Sequence, residues 1–537
     1  MRLTYFRLLA LSSALLAIAA DARAATHPRY GGTLRVEVRA ARVSLDPREW
    51  QVGSVEAAAN EKLAALVFER LVALDNYGRF QPVLAADWSH DGANKRWQFV
   101  VRAGVKFSDG APLTAADVAA ALQPLLLSTQ QVSASGSAIV IQSGVPVPDL
   151  LEQLASGRYF VYRVLASGAL VGTGPFVLGE APVSAKLDPE NSSAPSQAGS
   201  SGGAASRGGN GHLYFHANEE AWSGRPFVDG IDVTLGVPPL RAMFDLQLGK
   251  ADLIELAPDL VPRAKQGNLR VWTSELVTLY GLRFDGAQKA ASDVRLREAI
   301  SLALDRGTMA NVLLQRQAEP AAALLPQWLS GYAFLFSVDT NLERAKELRS
   351  ALPASEAGSA EPLRLRVDPA GDLAKLLGER VVLNARQAAI PMRVISRPVA
   401  RAGASSATLG DPPSDVHLFA WRYSSLSSRA ELDSMFGAYN LTEASEVNAT
   451  STDQEQLYAR EGRVLKEWRM LPLIMEAEFV GLGPTVRDWM PARWGEWHLA
   501  DVWLEFPEPT MADSSNTPST SRQTSPQRRL VVPGAKP

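Results

Sequence analysis

Apolar residues in this chain recur with a period of two over short stretches and near 3.6 over longer ones, and the two patterns alternate along its length. Alternation of that kind argues for α/β lobes. GGTLRVEVR at 31–39 alternates as a half-buried strand entered through a glycine turn. SVEAAANEKLAALVFERLVALD at 54–75 reads as a helix, with Leu63, Leu66, Val67 and Leu71 on its apolar face, Ser54 as N-cap and the charged residues on the opposite face. In RWQFVVRAGVKFSDG at 96–110, Trp97, Phe99 and Val101 alternate, Val105 and Phe107 repeat the pattern, and Asp109-Gly110 marks a turn. Thr114 followed by Asp117 is a short capping box for a helix over 115–122. DVRLREAISLALDR at 293–306 is an amphipathic helix whose buried side carries Val294, Leu296, Ile300, Ala303 and Leu304. Strands are expected at 363–367, 416–421 and 471–475, and a helix at 453–468.

A chain of 537 residues exceeds one ordinary core, so two or more lobes are expected. The N-terminus carries Arg2 and Arg7, an apolar run of 13 residues from Leu8 to Ala20, and Ala22-x-Ala24. That run is short of the roughly 20 residues that span a bilayer, so 1–24 is expected to be a cleaved leader. There is no cysteine, which excludes disulfides and a cysteine-linked lipid anchor. Export without a tether points to a periplasm. The formal charge is -3, and removing 1–24 takes away three arginines and one aspartate to leave -5, interspersed with basic residues. No nucleic-acid footprint emerges from that distribution.

Two stretches break the pattern. ENSSAPSQAGSSGGAASRGGNG at 190–211 has almost no apolar side chain and is expected to be a mobile surface insertion, and 508–537 a disordered tail. Catalytic and cofactor motifs fail on inspection. The Gly172-Thr173-Gly174 turn lacks the continuation of a phosphate loop, GLGPTV at 481–486 fails as a dinucleotide fingerprint, and neither GxSxG nor HExxH occurs. His212 and His216 fall on a strand pattern, where their spacing makes no simple metal site. No cofactor and no metal centre are expected.

Several segments, in order, resemble the family 5 extracellular solute-binding proteins, the peptide, dipeptide and nickel-binding group. They are LRVEV…SLDP at 34–47, FERLVALDNYGRFQPVLAADWS at 68–89, WQFVVRAGVKFSDGAPLTAADV at 97–118, VGTGPFVL at 171–178, HANEEAWSGRPFVDGIDV at 216–233, DVRLREAISLALDRGTMANVLL at 293–314 and EWRMLPLIMEAEFVG at 467–481. The resemblance implies a periplasmic binding protein-like α/β fold, two lobes around a ligand cleft with an extra subdomain on lobe I. It places lobe I at 25–280 with a return at 474–507, the subdomain at about 50–165, and lobe II at 281–473, with crossings near 280–284 and 473–479. It implies a monomer that encloses a solute and delivers it to an ABC permease in the inner membrane, without catalysis.

In peptide-binding relatives an acid follows the aromatic residue at the end of a second-lobe strand. The matching FAWRYSSLSSRAELD at 419–433 has Ser424 and Ser425 there, with Glu431 and Asp433 the nearest carboxylates. A buried ammonium requires a partner, so Glu431 is a candidate replacement. Trp421 is a candidate wall, Tyr423 a hydroxyl donor, and Arg422 and Arg283 carboxylate clamps. Leu45 and Asp46 belong to the SLDP motif near the cleft, Asp46 reading chiefly as a turn former. A short or modified peptide is the leading ligand class. A sugar, an opine-like compound, a metal chelate, or a role as a ligand-presenting sensory receptor are the alternatives.

Overall fold

The computed structural model describes residues 27–180, 211–285, 292–332, 336–337, 339–352, 361–369, 371–395, 413–441 and 452–505. The expected leader and tail, and all of the Ser/Gly-rich stretch except Gly211, lie outside them.

Strand Thr33–Val38 forms as its alternation dictates: Leu34, Val36 and Val38 are buried on one face. It runs parallel to Gly230–Leu235 and Leu253–Leu256. Antiparallel His212–Ala217 and Phe176–Gly179 extend that side. Beyond Leu253–Leu256 come the two longest strands, Met470–Leu482 and Arg270–Phe284, then Val416–Arg422, Leu363–Val367 and Met392–Ile395, with Ala318–Pro320 also pairing Met470–Leu482. One continuous eleven-stranded sheet therefore passes through both halves of the molecule.

The long strands join the halves. Residues 270–273 pair with 479–482, while 278–283 pair with 470–476, and the register shifts between Thr273 and Thr278. Irregularities of this kind bend and twist a strand, so the sheet changes direction between its two cores. One core holds Leu34, Phe68, Phe215, Ile231, Val480 and Trp497. The other holds Leu296, Ile300, Leu365, Val381, Val416 and Leu473. A separate four-stranded antiparallel sheet, Ala85–His90, Arg96–Val101, Ala138–Ser143 and Gln130–Ser135, has its own core around Trp97, Phe99, Val118, Ile139 and Ile141. Its helix Ala115–Leu122 carries the expected capping box, with the Asp117 N–H donating to the Thr114 hydroxyl (3.2 Å) and the Thr114 N–H to the Asp117 carboxylate (3.0 Å).

Two local expectations need correction. The helix expected over 54–75 spans Val55–Val67. Phe68 is extended, and the Gly174 N–H takes the Val67 carbonyl at 2.9 Å. A Cβ on Gly174 would sit 2.6 Å from the Val67 carbonyl carbon, so the glycine turn is a packing element that seats against the end of this helix. Val294, expected on the buried side, is 45% exposed at the first position of helix Val294–Ala303, whereas Leu296, Ile300, Ala303 and Leu304 are buried.

Candidate ligand-binding site

Where the two halves meet, a cavity is lined by Glu61 and Lys62 of helix Val55–Val67, by Trp328, by residues 422–426 after strand Val416–Arg422, and by Trp494 and Glu496. Its volume is about 20 Å³, room for about one water. The halves touch directly around it: the Arg422 N–H donates to the Gly53 carbonyl at 2.8 Å, and Arg429 pairs with Asp149 at 2.9 Å, both side chains 6% exposed. Trp328 is also a wall of a second cavity of about 440 Å³, shared with Glu275, Leu276, Tyr332 and Met475.

Arg422 and Tyr423 line the central cavity, and both are committed to protein partners. The Arg422 guanidinium bonds Glu478 at 2.8 Å, the Trp494 carbonyl at 2.9 Å and the Tyr423 carbonyl. The Tyr423 hydroxyl donates to the Leu324 carbonyl at 2.5 Å. Trp421 lies behind them, 2% exposed, its Nε1 donating to Glu431 at 2.5 Å. Glu431 is fully buried and also accepts from the Ser425 N–H at 2.7 Å and the Ser424 N–H at 3.3 Å. It therefore shapes the serine loop from inside the second half.

Besides Trp421 and Glu431, which stand behind the lining, three candidates lie away from the cavity. Leu45 belongs to the first core. Asp46 accepts from the Arg48 N–H at 3.0 Å and pairs with the Arg48 side chain, capping the turn Pro47–Glu49. Arg283 lies 3.5 Å from Asp368 and 3.0 Å from His417 Nδ1, stacked on Tyr439.

That last group resembles a catalytic arrangement, because Ser414 Oγ is 2.9 Å from His417 Nε2 and His417 Nδ1 is 3.1 Å from Asp368. Nδ1 faces both the Arg283 guanidinium and the Asp368 carboxylate, and Asp368 also takes Arg366 at 2.6 Å, so the group is an ion-pair network inside the second half. Ser414 and His417 are also buried, at 3% and 4% exposure.

The residues missed by sequence reasoning are Glu61, Lys62, Trp328, Trp494 and Glu496. Helix Val55–Val67 was expected to turn its charged face to solvent. Instead Lys62 is 7% exposed and bridges Glu255 (3.0 Å) and Glu478 (2.9 Å). The alanines at 57–59 and 64–65 were the available signal, since small side chains on several faces let neighbours approach a helix closely.

Burial dominates the titration of this region. It pushes Glu61, Glu431, Glu461 and Glu476 up from 4.5 to about 7, outweighing their donors. Burial also opposes ionisation of Glu478, but Arg422 and Lys62 together hold it at about 2. Between pH 4.5 and 7 the folded protein keeps protons on the first four that the unfolded chain releases, so stability falls as pH rises through 7. Glu478 contributes stability that is fully present above 4.5 and lost as pH falls toward 2. Thermal melts are expected to peak at about pH 4–4.5 and to show a lower midpoint at pH 8 than at pH 5. A midpoint that rises from pH 5 to 8 would show these carboxylates to be ionised in the fold.

The sequence matches the model of bacterial extracellular solute-binding proteins, family 5 Middle, over residues 79–188 and 203–360. The nickel-binding periplasmic protein of Escherichia coli is 23% identical over 366 residues, covering 60% of this chain and 64% of that protein. The periplasmic murein peptide-binding protein MppA of Escherichia coli is 23% identical over 372 residues, 60% of this chain and 62% of that one. The matched stretches thus span just under two thirds of these relatives. NikA from Staphylococcus aureus, solved in complex with Ni(L-His)2, superposes with a TM-score of 0.68 at 16% identity, covering 89% of this chain and 100% of that one. OppA from Haemophilus influenzae, solved with the peptide RPPGFSPFR, gives 0.68 at 16% identity over 89% and 100%. The two-lobed architecture with an extra subdomain is theirs as well, and the chain belongs to the family 5 bacterial extracellular solute-binding proteins, a family of non-catalytic transport components.

Proposed function

We propose that this chain captures a small solute between its lobes and delivers it to the permease of an ABC importer, working outside the inner membrane as a monomer. The observation that carries this is the central cavity, walled from both halves and closed to about one water in volume. A solute enters such a site only when the lobes part, so binding and closure are coupled. In this reading residues 25–280 and 474–507 form lobe I, 281–473 form lobe II, and the long strands carry the bend. Among the described residues no helix is long and apolar enough to cross a membrane.

A short or modified peptide is the solute class this reading favours, in keeping with relatives that bind murein peptide and oligopeptides. The neighbouring 440 Å³ cavity, which shares Trp328 as a wall, would give an extended solute somewhere to continue once the lobes part. A nickel-type cargo would have to bring its own chelator, because among the described residues no group of three or more His, Asp or Glu side chains is placed to hold a metal.

Native mass spectrometry of protein purified from its own periplasm is expected to reveal one non-covalent solute per chain, released on denaturation and identified as a short peptide. A sugar or metal chelate would overturn the peptide assignment and keep solute capture. An empty protein that also shows no saturable one-to-one binding in a solute screen would overturn capture itself.

A further inference from the structure

Glu61 stands apart in the charge inventory of the central cavity. Three cations line or back it. Lys62 is held by Glu255 and Glu478. Arg422 is held by Glu478 and the Trp494 and Tyr423 carbonyls. Arg70 is held by Glu496 at 2.6 Å and by the Gly157 carbonyl at 3.0 Å. Their side chains are 7%, 9% and 5% exposed, so the cations are turned into protein acceptors. Against these three stand four carboxylates, Glu61, Glu255, Glu478 and Glu496, which leaves one negative charge unbalanced when all are ionised. Glu61 is the least engaged of the four. Among the described residues its one ion-pair contact is with Arg70 at 3.4 Å, and 20% of its side chain stays open beside the cavity it lines. An anionic end of a solute would find these three cations already committed. A cationic end would find Glu61, with the Ser424 and Ser425 loop on the facing lobe.

We infer that Glu61 is the carboxylate that receives a primary ammonium group of the solute, so the cavity selects solutes that carry positive charge at that end. This rests on the cavity being the solute site. It assigns to a helix of lobe I the role for which the serine loop of lobe II has no acid, since Glu431 behind that loop is taken up by Trp421 and two backbone N–H groups. A charge-assisted bond to a desolvated carboxylate discriminates strongly against the same solute without its charge. The state of Glu61 adds a second signature. Burial pushes it up to about 7 against the pull of Arg70 and Arg422, with Glu496 and Glu478 pushing the same way as burial. An arriving ammonium favours the ionised form, so binding at pH 7 releases a fraction of a proton.

The test uses the mature protein and its Glu61→Gln variant, offered an equimolar pool of random tripeptides together with their N-acetylated counterparts. Capture is read by native mass spectrometry, and affinities of the captured sequence in both forms by calorimetry in two buffers of different ionisation enthalpy. Wild type is expected to prefer the free amine by about a hundredfold or more and to release protons at pH 7. Glu61→Gln, checked for an unchanged melting profile, is expected to lose at least tenfold in affinity for the free amine, to bind the acetylated form as before, and to lose the proton release. A variant that binds but keeps the wild-type preference overturns the role of Glu61 and leaves the cavity as the solute site. Capture of no member of the pool by wild type overturns both.

Discussion

Replacing Arg429 with alanine is expected to unlatch the two lobes. Arg429 opens the helix Ser428–Ala438 in the second lobe, and Asp149 precedes the helix Leu150–Leu154 of the subdomain. Their contact is bidentate, at 2.9–3.2 Å, with both side chains 6% exposed, and the Ser427 hydroxyl adds a bond to Asp149. Arg429 also holds Asp433 at 3.0 Å, but Arg460 holds Asp433 as well, at 2.6 Å. The loss therefore falls on Asp149, a buried carboxylate left without its counter-ion. Breaking such a pair from one side costs about 3–5 kcal/mol. Opening the lobes returns Asp149 to water and relieves that cost without unfolding, so the penalty is charged to the closed form. A shift of that size lowers the closed population, and with it solute affinity, by about a hundredfold or more. Small-angle scattering with solute present would show the variant remaining extended while its melting point falls only slightly. Converting both partners to apolar residues, Asp149→Leu with Arg429→Met, is expected to restore most of the closure. A single Arg429→Ala variant that compacts like wild type would show that the pair does not hold the lobes together.

The residues that make this latch were invisible in the sequence for a physical reason. Thr114 and Asp117, the strand at Thr33–Val38 and the helix at Val294–Ala303 are local patterns, decided by a few neighbours and by burial on one face. They appear where the periodicity places them. Glu61 and Lys62 also sit in a correctly expected helix, but periodicity reports only that a helix has a polar face. It cannot report that Glu255, Glu478 and Glu496, hundreds of positions away, are folded against that face. Glu431 illustrates the same limit: the sequence brings a carboxylate near Ser424, and only the turn into the following helix decides that it points inward to Trp421. The order of family-like segments carried the fold because order survives where identity is low. The site depends on side-chain direction, which order does not encode.

Gly53→Ala is expected to wedge the cleft open. Gly53 belongs to the first-lobe loop before helix Val55–Val67 and has φ +76, a left-handed conformation that disfavours any Cβ by about 1–2 kcal/mol. The added methyl would stand 2.5 Å from two carbons of the Trp421 ring in the second lobe. That ring has little freedom to retreat, being 2% exposed, tied through Nε1 to Glu431 and packed edge-on against Tyr439. Overpacking a site of this kind costs about 1–3 kcal/mol. The same step endangers the 2.8 Å bond from the Arg422 N–H to the Gly53 carbonyl. The conformational part of the penalty acts in open and closed forms alike, whereas the collision exists only when the lobes are together. Gly104→Ala separates the two, because Gly104 has φ +81 and nothing within 4 Å of its would-be Cβ. That control is expected to lower the melting point while leaving solute affinity unchanged. Gly53→Ala should match it in melting and lose a further ten- to hundredfold in affinity, with scattering showing the lobes apart. Equal affinities for the two variants would mean that Trp421 yields cheaply, and that closure depends on the charged contacts more than on the packing of this ring.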